Sequence, residues 1–218
     1  MKNGTWVLGG ALMCCVTAAS AEGIAAGAKI GTLGFGVELT AAISDKIDGR
    51  VNFNKYNWST EKTSDQIKYD IELGLKSFMA LVDWHPFNGS FRASAGLVAN
   101  GNEINMTATP TGTYDIGGAT YTAAQVGNLT GKVDFNSTAP YLGIGWGQAV
   151  GKGKALSFNV DLGILFQGAP KVALNATGTL ATDPTFQADL AQEEAKAQED
   201  LNGFNRYPVA SFGIAYQF

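Results

Sequence analysis

In stretch after stretch of this chain, apolar residues alternate with small or polar ones at a period of two. Only a β-strand sends successive side chains to opposite faces in that way. In the last twelve residues, Phe218, Tyr216, Ile214, Phe212 and Ala210 share one face, and Gln217, Ala215, Gly213, Ser211 and Val209 the other. Ile67, Tyr69, Ile71, Leu73 and Leu75 likewise alternate with Lys68, Asp70, Glu72, Gly74 and Lys76. A helix would scatter those four charges around its circumference, whereas a strand gathers them on one side. The same period marks Phe35 to Ile43, Arg50 to Tyr56, Phe91 to Ala99, Leu142 to Trp146 and Leu156 to Phe166, giving seven strands. The 67–75 strand is expected to run on through Met79 and Leu81 to Trp84, with its greasy residues facing out.

The N-terminus reads as an export signal. Lys2 supplies a positive start, Trp6 to Val16 is mostly apolar, and Ala19-Ser20-Ala21 is a small-x-small cleavage site, so residues 1–21 are expected to be removed and 22–218 to form one domain. Both cysteines, Cys14 and Cys15, lie in that segment, which leaves no disulfide and no thiolate metal site in the mature chain. Past the leader there is no run of about 20 apolar residues, which excludes a helical span but not a spanning barrel. The formal charge of −4 argues against nucleic-acid binding.

Short connections (44–49, 85–90, 149–154) alternate with longer ones (57–65, 100–138, 168–206). Membrane barrels have short periplasmic turns, longer outer loops and an even strand number. With Phe218 on the periplasmic side, an eighth strand is required before Phe35, and Gly23 to Ile30 supplies it, joined through the tight turn Gly31-Thr32-Leu33-Gly34. The expected fold is therefore all-β: an eight-stranded antiparallel transmembrane β-barrel with two long outer loops. One loop holds a short helix beginning near Pro184, where Ala, Gln and Glu accumulate up to Leu201.

A soluble barrel with the greasy faces turned inward would have to fit its rows of Leu, Ile, Phe, Tyr and Trp into an interior that side chains barely fit. The polar faces are instead rich in Gly, Ser and Ala, and aromatic residues such as Trp84, Phe91, Trp146 and Tyr216 cluster at strand ends, as in interfacial girdles. On that arrangement the lumen-lining charges are Lys29, Glu38, Arg50, Lys68, Asp70, Glu72, Lys76, Arg92 and Asp161. Two readings stand side by side: a polar conduit for a small cationic or zwitterionic solute, and a closed plug of ion pairs, since charges in so narrow a space must be partnered.

In the last outer connection, Asp183, Asp189, Glu193, Glu194, Glu199 and Asp200 stand against the single base Lys196. They form either an acidic vestibule that concentrates cations or a solvated helix face. His85, the one histidine, sits in a predicted periplasmic turn beside Pro86 and is expected to be structural. No nucleophile–histidine pair can form at the outer rim, and no metal cluster or phosphate loop is visible, so neither enzyme activity nor a cofactor is expected.

Gly131-Lys-Val-Asp-Phe-Asn136, Ala139-Pro-Tyr-Leu-Gly-Ile-Gly145, Asp161-Leu-Gly163 and Gly168-Ala-Pro-Lys-Val-Ala-Leu174, continuing into Pro208-Val209, resemble the CarO-type family of small outer-membrane barrels. That resemblance implies eight strands, an outer-membrane location, and uptake of ornithine or other basic amino acids. The terminal aromatic Phe218 of the closing strand resembles the signal read by the barrel-insertion machinery, and the expected protein is a monomer in contact with outer-membrane lipid. A closed barrel that binds partners through loops 100–138 and 168–206 is the other expectation.

Overall fold

The structure, a computed structural model, describes residues 23–64, 67–87, 89–110, 112–150 and 155–218. The expected leader at 1–21, with both cysteines, and the turn at Gly151 to Lys154 lie outside the described residues. The described chain forms, in order, β1 (Ile24–Gly31), β2 (Gly34–Ser44), β3 (Ile47–Ser64), β4 (Ile67–Trp84), β5 (Phe91–Asn100), β6 (Glu103–Pro110), β7 (Thr113–Ile116), β8 (Ala119–Thr122), α1 (Ala123–Val126), β9 (Leu129–Asp134), β10 (Thr138–Trp146), β11 (Leu156–Leu165), β12 (Lys171–Ala176), α2 (Pro184–Leu201) and β13 (Tyr207–Gln217).

Eight strands close on themselves. β1, β2, β3, β4, β5, β10, β11 and β13 pair antiparallel in that order, and β13 pairs back onto β1. The inferred first strand is present, one residue later than expected, and Gly34 at φ 96° makes the tight β1–β2 turn that a Cβ would strain. Outside the ring, all-β architecture persists where long loops are expected. The sequence predicts eight strands; among the described residues there are thirteen.

The extra strands follow from the length of one hairpin. β3 does not stop at Tyr56 in a polar loop but continues to Ser64, and β3 and β4 pair without a break from Ile47↔Trp84 to Ser64↔Ile67. β5 covers β4 only from Trp84 to Ser77, so the outer half of β4 would leave a row of backbone groups unpaired. β6 takes that edge from Gly74 to Ile67, β9 pairs with β6, and β12 with β9. The 100–138 connection is thus mostly strand plus the β7–β8 hairpin, and 168–206 contributes β12 and α2. α2 spans Pro184–Leu201, with the Asp183 side chain accepting from the N–H groups of Thr185 and Phe186 and Pro184 in the first turn. Its Phe186 and Leu190 pack with Ile116, Tyr121 and Val126 over Leu129, Leu174 and Ala176 of β9 and β12.

Within the ring the faces are inverted relative to a soluble protein. Large apolar side chains such as Phe35, Val37, Leu97, Leu142, Phe158 and Phe212 stand exposed on the outside, and charged and polar ones are buried inside. The exposed Phe87 and Trp146 both touch the half-buried Phe91 at one end, with ring centroids 5.9 and 5.6 Å from it.

The outer half of the ring interior is apolar: Leu33, Met79, Leu81, Val98, Ala139, Tyr141, Leu165 and Val209 form one cluster. The greasy residues of lower β4 therefore face in, and Phe78, Val82 and Trp84 face out, opposite to the phase expected from the sequence. Tyr141 fits because Gly163, diagonally across on β11, and Gly143, two residues along its own strand, leave room for its ring. A Cβ on Gly163 would lie 2.4 Å from the Tyr141 hydroxyl and 2.5 Å from Cζ, and Gly143 is equally close to that hydroxyl.

Gly163→Ala should therefore destabilise the folded ring by about 1–3 kcal/mol through overpacking, with partial recovery when Tyr141→Leu is added. Urea unfolding of the detergent-solubilised protein measures both.

Candidate functional site

Inward-facing positions on six strands, β1 to β5 and β11, bring a charged cluster together in the other half of the interior. Arg50 on β3 lies at its centre and is only 3% exposed. Its Nη1 donates to Glu38 Oε2 at 3.2 Å and to Asp161 Oδ2 at 3.0 Å, and its Nη2 to Asp83 Oδ1 at 2.9 Å. Arg50 Nε lies 2.7 Å from Asp83 Oδ2 but off the N–H axis, a coulombic contact rather than a hydrogen bond. Arg92 donates from Nη2 to Asp161 Oδ1 and from Nη1 to the Gly147 carbonyl, both at 2.7 Å. Ser94 Oγ donates to Asp83 Oδ1 at 2.5 Å, and Lys29 Nζ reaches Glu38 Oε2 at 3.4 Å.

The three cations Lys29, Arg50 and Arg92 face the three anions Glu38, Asp83 and Asp161, so the cluster sums to zero charge. Neutrality matters because a buried ion is tolerated only when paired and hydrogen-bonded. Gly145 makes room for it: a Cβ there would lie 2.8 Å from both Arg92 Nε and Asp161 Oδ1.

Nearer the short turns, His85 Nε2 lies 3.0 Å from Asp48 Oδ2, and His85 Nδ1 is 3.1 Å from the Gly89 carbonyl. The hydrogen bond to Asp48 holds the protonated imidazole and lifts the His85 pKa, against the opposing effect of burial. The lone histidine is thus a clasp between β3 and the β4–β5 turn. Below it, Ala149 and Val150, which follow β10, are buried against Ala25 and Ala215. Between this floor and the charged cluster is a space of about 10 Å³, lined by Glu38, Thr40, Asp48, Arg50, Asp83 and their neighbours. That is room for about one water molecule.

Five of the nine charges expected in the lumen meet here: Lys29, Glu38, Arg50, Arg92 and Asp161. The other four do not. Lys76 is exposed on the outside, while Lys68, Asp70 and Glu72 lie on the part of β4 that has left the ring, where Lys68 pairs with Glu61 at 3.2 Å and Asp70 at 3.4 Å. Unbroken β3–β4 pairing keeps these four on the outward face, because the inward face is already taken by Leu75, Ser77, Met79, Leu81 and Asp83. Asp83 is the member that sequence reasoning missed. Its signal is a single acid inside an otherwise apolar run, which marks the odd-numbered face as the interior one.

The acids of the last connection act mostly as tethers. Besides the Asp183 cap, Asp189 accepts a short hydrogen bond from the Tyr121 hydroxyl, Glu193 accepts from Gly117 N at 3.2 Å, and Glu194 accepts from Leu174 N at 2.9 Å. Glu199 accepts the Asn202 N–H only through its backbone carbonyl, and its side chain and that of Asp200 face solvent.

Arg50→Met leaves Glu38, Asp83 and Asp161 short of a counter-charge and should cost about 3–5 kcal/mol of stability, read as a lowered urea midpoint. The His85 contribution has the opposite pH sense to that of a carboxylate. Because the folded-state pKa is raised, the added stability is complete below the unfolded value of about 6.5 and disappears as pH rises through the folded value. His85→Gln should therefore lose stability relative to wild type at pH 5.5 and match it at pH 9 in unfolding titrations.

No protein-family model matches the chain, and no curated protein matches it significantly. Among solved structures, the fold is similar to that of CarO2 from Acinetobacter baumannii, with a TM-score of 0.58 and 20% identity over 90% of this chain and 98% of that one. It is similar also to Acinetobacter baumannii CarO, with a TM-score of 0.57 and 19% identity over the same shares. The CarO-type resemblance expected from the sequence thus extends over nearly the whole described chain at the level of the fold.

Proposed function

We propose that this chain is an outer-membrane β-barrel protein whose ring is closed to solutes and whose role is exercised by the sheet and helix that stand above it. The observation that carries this reading is the filled interior: an apolar cluster, a neutral network of buried charges and a floor built from Ala149 and Val150, stacked along one axis. Such a stack is costly to open, because solute entry would separate buried ion pairs as well as displace packed side chains. The membrane reading rests on the exposed apolar belt and its aromatic end, which a water-facing surface would not sustain over a full ring.

The outer region offers a contact surface of its own. Trp58, Ile104 and Met106 remain exposed on the apolar face that α2 covers only over β9 and β12. Their alignment across β3, β4 and β6 suits a protein or lipid partner better than a small solute.

The solute-channel reading remains the competitor, and conductance separates the two. Folded protein in planar bilayers should give no steps above background in potassium chloride, and vesicles carrying it should take up ornithine no faster than empty vesicles. Steady single-channel steps, or ornithine-selective uptake abolished by Asp161→Asn, would overturn the closed reading.

A further inference from the structure

Within the ring, the outward-facing positions of all eight strands carry only two charges, Lys55 and Lys76. They are directly opposite each other on β3 and β4, and both are exposed. Directly opposed residues hold their Cβ atoms roughly 5 Å apart, and like charges so placed repel. Neither ammonium has a carboxylate or hydrogen-bond partner among the described residues. Glu103, one row above on the same face, is occupied by Lys132 at 3.3 Å. The next pair down the same two strands is Phe53↔Phe78, both exposed. An unshared pair of cations thus caps an apolar wall.

Beside that wall is a cleft. Where β5 parts from β4 at Ser77↔Asn100 and the chain turns through Gly101 toward β6, the ring surface opens into a space of about 280 Å³ lined by Phe53, Phe78, Ala99, Lys76, Asn100 and Ser137. Its walls are mainly apolar and one rim is a lysine. The shape and charge suit an amphiphile with an anionic head and a hydrocarbon tail.

We propose that Lys55, Lys76 and this cleft bind one phosphate-bearing membrane lipid, with the phosphate between the two ammonium groups and an acyl chain along Phe53, Phe78 and Ala99. The assignment rests on the membrane-spanning reading above, which places the lysines at the upper edge of the apolar belt. A lipid phosphate there relieves the Lys55–Lys76 repulsion, and the acyl chain covers a gap that the strand divergence leaves in the wall.

The test uses the full folded protein in dodecyl maltoside, titrated with diphosphorylated lipid A and read by native mass spectrometry. Wild type should retain one lipid A, Lys55→Gln/Lys76→Gln should bind it at least tenfold more weakly, and Lys55→Arg/Lys76→Arg should bind as wild type does. Diacylglycerol, which lacks phosphate, should not be retained, and inorganic phosphate at matched concentration should not compete. Equal retention by wild type and the glutamine variant would overturn the proposal, as would full competition by inorganic phosphate, which would define an anion site without a lipid. Heat-dependent gel mobility confirms that both variants are folded. Flotation with lipid vesicles separates the two readings: wild type that fails to float sinks both, whereas floating protein whose lipid A retention ignores the lysines sinks only the lipid site.

Discussion

The position of Arg50 governs what the ring interior can be. A guanidinium this deeply buried demands compensating charge from several directions, and Glu38, Asp83 and Asp161 provide it from β2, β4 and β11. Each of those carboxylates then ties a different strand to the same centre. Arg92 and Lys29 complete neutrality by sharing acid oxygens with Arg50: Asp161 Oδ1 is held by both arginines, and Glu38 Oε2 by Arg50 and Lys29. The result is less a lining than a cross-brace, holding six strands at fixed separation by hydrogen bonds through the middle. Small residues on the inward face, Gly145 above all, are the corollary, since the brace occupies the volume their side chains would need.

The ring was legible in the sequence because its lipid-type face and its interior differ along every strand, and period two is hard to imitate. Parity was legible as well: fixing Phe218 at one end required a strand near Gly23 to Ile30, and β1 lies there. The phase of β4 was not. In that strand the outward face is charged above the ring and at its upper edge, at Lys76, and apolar below that, while the inward face is apolar throughout except for Ser77 and Asp83. A rule that assigns greasy residues to the outside works only where the outside is membrane. Above the ring the apolar residues Tyr69, Ile71 and Leu73 belong to the sheet face shared with α2, so Lys68, Asp70 and Glu72 look outward for the same reason that Phe78 and Val82 do lower down.

The long connections hid their strands for a different reason. β6, β9 and β12 are rich in Thr, Gly, Asn and Ala, and half of their side chains face solvent, which flattens the alternation. What recruits them is not their own hydrophobicity but the unpaired edge of β4, a long-range demand that no local window contains. The acids of α2 carry a similar lesson. Read as a run, they resemble a field that attracts cations; in place, Asp189, Glu193 and Glu194 are spent on Tyr121, Gly117 and Leu174.

The unbroken β3–β4 hairpin has a mechanical meaning. Eighteen residues at about 3.3 Å each make a beam of roughly 60 Å, whose lower part is clamped in the wall and whose upper part carries β6, β9, β12 and, through them, α2. No turn or bulge interrupts its pairing, so there is no hinge where the hairpin leaves the ring. Whatever grips the upper sheet pulls on a cantilever, and the bending moment falls at the root, where Lys76 leaves the ring beside the apolar cluster that fills its outer half.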